Sequence, residues 1–103
     1  MIRVSVLYPH TDSSKFDHDY YRVNHMPMVK EKMGSALVDS SIDKGVAGGA
    51  SDAPLPFECI GYLIFNSIDD FQQAFAAAAN DIMADIPKYT DIQPIIQISE
   101  IVQ

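Results

Sequence analysis

Residues 57–66, Phe-Glu-Cys-Ile-Gly-Tyr-Leu-Ile-Phe-Asn, constrain the fold more than any other stretch of this chain. Side chains alternate across a strand, so Phe57, Cys59, Gly61, Leu63 and Phe65 share one face, against Glu58, Ile60, Tyr62, Ile64 and Asn66 on the other. Both faces carry large apolar groups, whereas a strand wet on one side shows a polar row there. The last segment, Pro94 to Val102, repeats the feature, with Ile96 and Ile98 opposing Ile95 and Ile101. These strands need cover on both sides.

The rest of the chain supplies cover for one side. Ile2 to Tyr8 alternates as a first strand closed by Pro9. Asp17 is a good N-cap for a helix ending at Gly34. Tyr21, His25, Met28 and Val29 share its apolar face, widened by Met26 and Met33. Pro27 lies inside and deletes a backbone bond, which predicts a kink or a loosened turn around His25. Ala36 to Lys44 reads as a weaker strand and Gly45 to Pro56 as a flexible loop. Ser67-Ile68-Asp69-Asp70 resembles a capping box before an Ala-rich helix with Phe71, Ala74, Phe75 and Ala78 on one face. Asn80 is expected to break that helix, and 81–86 to form a short second one stopped by Pro87.

The order β-α-β-β-α-β is the ferredoxin-like arrangement, an α+β fold with a four-stranded antiparallel sheet and two helices on one face. Two helices leave the other face bare, and soluble monomers rarely expose a large contiguous apolar patch. A second copy, sheet against sheet about a two-fold axis, is the simplest lid, so the alternation predicts a homodimer. The 103 residues suffice for one domain spanning 1–103. A net charge of −7 is the wrong sign for a nucleic-acid binder. The longest apolar run is too short to span a membrane. A single cysteine, Cys59, excludes an internal disulfide. Together these point to a soluble cytoplasmic protein.

Among residues that carry chemistry, His25 stands first. An imidazole in an apolar stripe beside a disturbed turn can move protons, and Tyr21, one turn away, can orient it or donate to a developing oxyanion. The plain alternative is a core histidine bonded to a carbonyl. Tyr8, Tyr62, Met28 and Phe75 are candidates to line a pocket for an apolar or aromatic ligand. Tyr62 follows Gly61, which leaves open space. Tyr20 and Tyr89 read as space-filling. No metal site is expected, since His18 and His25 are seven apart and no carboxylate or cysteine set completes one. The glycines at 45, 48 and 49 do not form a dinucleotide motif, so no cofactor is expected.

Tyr8-Pro9, Tyr20-Tyr21, His25 and Pro27 together match a Tyr-Pro strand end followed by Tyr-Tyr-x-x-x-His-x-Pro. With Phe65-Asn66-Ser67, Asp70-Phe71, Ala84-Asp85-Ile86-Pro87 and Tyr89-Thr90-Asp91, the chain resembles the EthD family, named for ethyl tert-butyl ether degradation, over nearly its whole length. The resemblance implies a dimeric α+β barrel with a pocket between sheet and helices in each subunit. Proteins of that architecture include cofactor-free monooxygenases, lactone isomerases, polyketide cyclases and haem-degrading enzymes. It also implies pocket roles for His25 and Tyr21. The expectation is therefore a homodimer binding a small apolar or aromatic molecule, with His25 as acid or base and Tyr21 or Tyr62 orienting the substrate. The competing expectations are a non-catalytic accessory protein for a partner oxygenase and a haem protein with His25 as axial ligand.

Overall fold

A computed structural model describes all residues, 1–103. Four strands, β1 (Ile2–Pro9), β2 (Leu37–Lys44), β3 (Phe57–Phe65) and β4 (Ile95–Glu100), form one antiparallel sheet in the order β2-β3-β1-β4. Helix α1 (residues 18–33) links β1 to β2, and helix α2 (Ile68–Asp85) links β3 to β4. The result is a thin slab, 41 × 33 × 19 Å, with one layer of sheet and one of helix. This is the α+β ferredoxin-like topology that the strand and helix periodicities predict.

The helix-facing side of the sheet is read from the register. Ile2 pairs with Phe65, Val4 with Leu63, Val6 with Gly61 and Tyr8 with Cys59, and these apolar pairs form the floor of the core. Val4, Tyr8, Cys59 and Phe65 are its most deeply buried members. Ile96 and Ile98 share this side but remain 49% and 40% exposed, because β4 is an edge strand with little helix above it. On the far side, Leu7 pairs with both Ile60 and Ile95, giving one apolar row across three strands. The next row, Ser41, Tyr62, Ser5 and Gln97, is mostly polar, so the apolar patch is narrower than the sequence suggests.

Helix α1 is not uniform. An α-turn at His18–Tyr20 leads into a wide turn at Tyr21–His25, then regular α-helix over Met26–Met33. Asp17 caps the start, its carboxylate accepting from the Tyr20 amide at 3.0 Å. In the wide turn the Met26 amide reaches back to the Tyr21 carbonyl, an i→i+5 bond. This is the loosened turn expected near Pro27. One extra residue in the turn sets the following residues back by one helical step, about 100°. The correction aligns Met26, Val29 and Met33 with Tyr21 and His25, and all five are buried. It also rotates Met28, expected on the same stripe, to the margin of the core.

Gly34 ends α1 at φ 64°, ψ −145°, backbone that an L side chain adopts only under strain. Gly34→Ala is therefore expected to destabilise the fold by about 1–3 kcal/mol, read as a lower urea midpoint with an unchanged slope.

Helix α2 corrects a second expectation. It runs 18 residues without a break at Asn80, which is exposed and costs little within an alanine-rich segment buried through Phe71, Ala78 and Ile82. Ser67 caps it, accepting from the Asp70 amide at 3.1 Å. Because the helix continues, its last residue is Asp85. No helix is long and apolar enough to cross a membrane.

Candidate functional site

A cavity of about 280 Å³ lies between the helix-facing side of the sheet and the two helices. Fourteen of its eighteen lining residues are hydrophobic. Val4, Tyr8, Tyr21 and His25 line its deep end and are almost inaccessible, whereas Met83 and Ile96 line it at 52% and 49% exposure and mark its mouth. The mouth opens where β4 lacks helix cover. None of the loop residues 45–56 lines it.

The polar groups concentrate at the deep end. His25 Nδ1 donates to Asp85 Oδ2 at 2.9 Å, and Tyr20 donates its hydroxyl proton to Asp85 Oδ1 at 2.8 Å. A proton on Nδ1 leaves Nε2 as the acceptor, and the Tyr89 hydroxyl faces it at 3.4 Å. The Tyr89 oxygen accepts in turn from the Tyr8 hydroxyl at 2.7 Å. The chain Tyr8–Tyr89–His25–Asp85 thus runs from the cavity to the protein surface, where Lys88 Nζ stands 3.8 Å from Asp85.

Each member is positioned by a local feature. The wide turn of α1 carries Tyr21 and His25 at its two ends and stacks their rings, with centroids 5.3 Å apart and planes 17° from parallel. The Tyr21 hydroxyl lies against the backbone of Gly61, where any Cβ would collide with it. Gly61 therefore serves Tyr21 by close approach, and the space after it is not a pocket for Tyr62. Glu58 ties the start of α1 to the sheet, accepting from His10 Nδ1 at 2.6 Å and from His18 Nε2 at 3.0 Å. Tyr89 is fixed by the Phe16–Thr90 bridge and by its carbonyl, which accepts from the Asp17 amide at 2.8 Å.

The electrostatics favour a neutral histidine. Burial pushes the His25 pKa below its usual value, and the Asp85 carboxylate opposes but does not reverse this. Burial would raise Asp85, yet the bonds from His25 and Tyr20 outweigh it and hold the carboxyl below its ordinary range. Asp85 also sits at the C-terminal end of α2, where a carboxylate opposes the helix dipole. A local rule broken at a half-buried, fully bonded position marks a functional or strained site. Burial raises Tyr8 to about 12 and pushes Tyr21 and Tyr89 higher still. All three hydroxyls keep their protons at neutral pH.

A pH dependence of stability follows. The unfolded His25 takes up a proton near about 6.5 while the folded one resists, so stability falls as pH drops below that value. Asp85 and Glu58, held low when folded, remove more as pH falls further through the carboxylate range. Urea midpoints are expected to be lower at pH 5.5 than at pH 7.5. In His25→Gln the decline across that interval becomes shallower.

Of the residues singled out from sequence, His25, Tyr21, Tyr8 and Phe75 line the cavity together. Two do not. Tyr62 lies on the opposite face of the sheet, under the Arg3 guanidinium at 5.8 Å, because strand parity sends it away from the helices. Met28 is turned aside by the wide turn. Conversely, Asp85, Tyr89 and Tyr20 enter the network although sequence reasoning gave them no site role. Their only signal is that they lie in or beside the motif segments Tyr20-Tyr21, Ala84-Asp85-Ile86-Pro87 and Tyr89-Thr90-Asp91. No group of three His, Cys, Asp or Glu side chains is arranged to hold a metal ion. Haem does not fit, since about 280 Å³ is too small for a porphyrin.

The fold has close counterparts. An EthD-like protein of Ralstonia eutropha JMP134 is 45% identical, with TM-score 0.95, the match covering 99% of this chain and 92% of that one. An ethyl tert-butyl ether (EthD) family protein of Bacillus halodurans C-125 is 18% identical over 99% of both chains, with TM-score 0.67. A dimeric ferredoxin-like protein of unknown function from Thermobifida fusca YX is 13% identical, with TM-score 0.59, the match covering 97% of this chain and 90% of that one. No curated protein matches the sequence. The EthD domain profile matches residues 9–93, which include the Tyr21–His25 turn, Asp85 and Tyr89, and the chain belongs to the EthD family.

Proposed function

We propose that the protein binds a small, largely apolar organic molecule in the sheet–helix cavity and transfers a proton to or from it with His25. The observation that carries this reading is the buried His25 at the deep end of an apolar cavity, bonded through Nδ1 to the half-buried Asp85 and with Tyr89 at Nε2. Asp85 holds the Nδ1–H tautomer and offsets the positive charge that a captured proton places on the ring. Tyr21 supplies a hydroxyl at the same end, suited to a carbonyl or enolate oxygen. The supported chemistry is abstraction of a proton next to a carbonyl, as in an isomerase or in an oxidoreductase that works on an activated carbanion.

The test is solvent exchange. With 2-tetralone in D2O, the wild-type chain should speed loss of the α-proton signal in ¹H NMR spectra, and His25→Gln should not. Tetralone that binds without accelerated exchange would instead make the protein a non-catalytic ligand carrier. One feature favours that second reading, namely that Nε2 already faces the Tyr89 hydroxyl.

The working unit in this proposal is a homodimer with the sheets face to face. The isolated chain exposes 6486 Å², against about 5,800 Å² for a compact monomer of this mass. Its radius of gyration is 14.0 Å, against about 12.8 Å for a chain of this length. The surplus fits the slab shape and the apolar row Ile60–Leu7–Ile95 on the uncovered face. The similar Thermobifida fusca protein is described as dimeric.

A further inference from the structure

The polar groups at the deep end of the cavity also restrict what chemical class can sit there. Among the lining residues there is no lysine, no arginine and no carboxylate, and the nearest full charge behind the site is the negative Asp85. An anion buried there would find no counter-charge, and an unpaired buried charge is strongly disfavoured. Carboxylates and phosphates are therefore excluded, and the ligand is neutral.

The same groups select among neutral compounds. His25 Nε2 has no proton to give, because Nδ1 carries it toward Asp85, so a ligand meets Nε2 only as a donor. The Tyr8 proton is taken up by Tyr89, but Tyr21 lines the same end with a hydroxyl that keeps its proton, so a ligand oxygen also meets a donor. The Tyr21 and His25 rings stack, 5.3 Å between centroids, so both residues line one end of the cavity. A ketone oxygen accepts and cannot donate, and an ether fares no better. A hydroxyl donates and accepts with one atom. The hydrocarbon remainder then lies among Val29, Leu63, Phe71, Phe75 and Ile82, which offer apolar and aromatic contact.

We infer that the cavity recognises an uncharged hydroxyl on an unsaturated carbon, a phenol or the enol of a ketone, with its hydrocarbon body toward the β4 side. This inference rests on the proton-transfer reading and sharpens it. A phenol is a stable enol, and removing the α-proton of a ketone followed by protonation at oxygen gives a ligand of this class. No group other than the proton moves in that step: the C–H electrons become the C=C bond, and the carbonyl oxygen takes the proton.

Three probes that share a 4-ethylphenyl body test it: 4-ethylphenol, 4-ethylanisole and 4-ethylbenzoate, each titrated into the full chain by calorimetry at pH 7. NMR detection of the His25 ring nitrogens runs in parallel. The phenol is expected to bind at least tenfold more tightly than either of the others and to shift Nε2. Tyr21→Phe and His25→Gln should remove most of that preference while leaving the weak binding of the anisole. Should the anisole or the benzoate bind as tightly as the phenol, the class assignment fails and the cavity remains a binding site. Should none of the three bind, the ligand-binding reading fails together with it.

Discussion

Asp85→Asn is expected to slow the α-exchange of 2-tetralone by about 10²–10⁴-fold while leaving the fold intact. The carboxylate accepts the Nδ1 proton of His25 at 2.9 Å, and that bond decides which nitrogen is left to accept a proton. An asparagine amide can present N–H to Nδ1 instead. The imidazole proton then moves to Nε2, where it faces Tyr89, and the ring can no longer accept a proton from the cavity. The Tyr20 hydroxyl still has an amide oxygen to bond, which preserves the packing around residue 85. A second readout separates this from simple loss of structure. Burial lowers the His25 pKa and Asp85 alone opposes it, so in the variant the imidazole should titrate lower than in the wild type. A rate equal to that of the wild type would remove Asp85 from the proton path.

Leu7→Asp is expected to convert the proposed homodimer to a folded monomer. Leu7 occupies the centre of the uncovered sheet face, paired with Ile60 on one side and Ile95 on the other. Its side chain points away from the cavity and the core, so the substitution leaves the protomer's packing unchanged. A two-fold axis places the new carboxylate in the interface twice, and each unpaired buried charge costs several kcal/mol. At micromolar concentration the wild type should scatter as about twice its 11.4 kDa protomer, and the variant as one. Helical circular dichroism should be the same for both. A wild-type chain that runs as a monomer would contradict the sheet-to-sheet arrangement, and a dimeric Leu7→Asp would move the interface elsewhere.

Both predictions concern residues whose roles were unevenly visible in the sequence. Leu7 and Ile60 stand out by parity alone, because a strand has a period of two and each side chain has only two places to go. Asp85 carries no such mark. It follows an alanine-rich helix and precedes Ile86-Pro87, where a carboxylate is ordinarily solvated. Its partner His25 lies sixty positions earlier, and the two meet because α2 continues past Asn80 and ends over the wide turn of α1. Tyr89 likewise looks like filler until the Phe16–Thr90 bridge brings its hydroxyl to Nε2. Tyr62 shows the reverse error. The glycine before it suggests open space, but that space is taken by Tyr21 from above.

By itself the sequence determined the order of strands and helices, the alternating strand faces, the stop at Gly34, the loosened turn around Pro27, and the His25–Tyr21 pair. These depend on contacts within a few residues, where period, caps and the missing proline donor act directly. Only the tertiary structure decided which polar groups complete the site, which face of the sheet holds the cavity, and that Met28 turns away. Those outcomes depend on contacts between distant segments. Pro27 announces a loosened turn but not that the turn holds one extra residue, and that residue shifts the phase of all that follows.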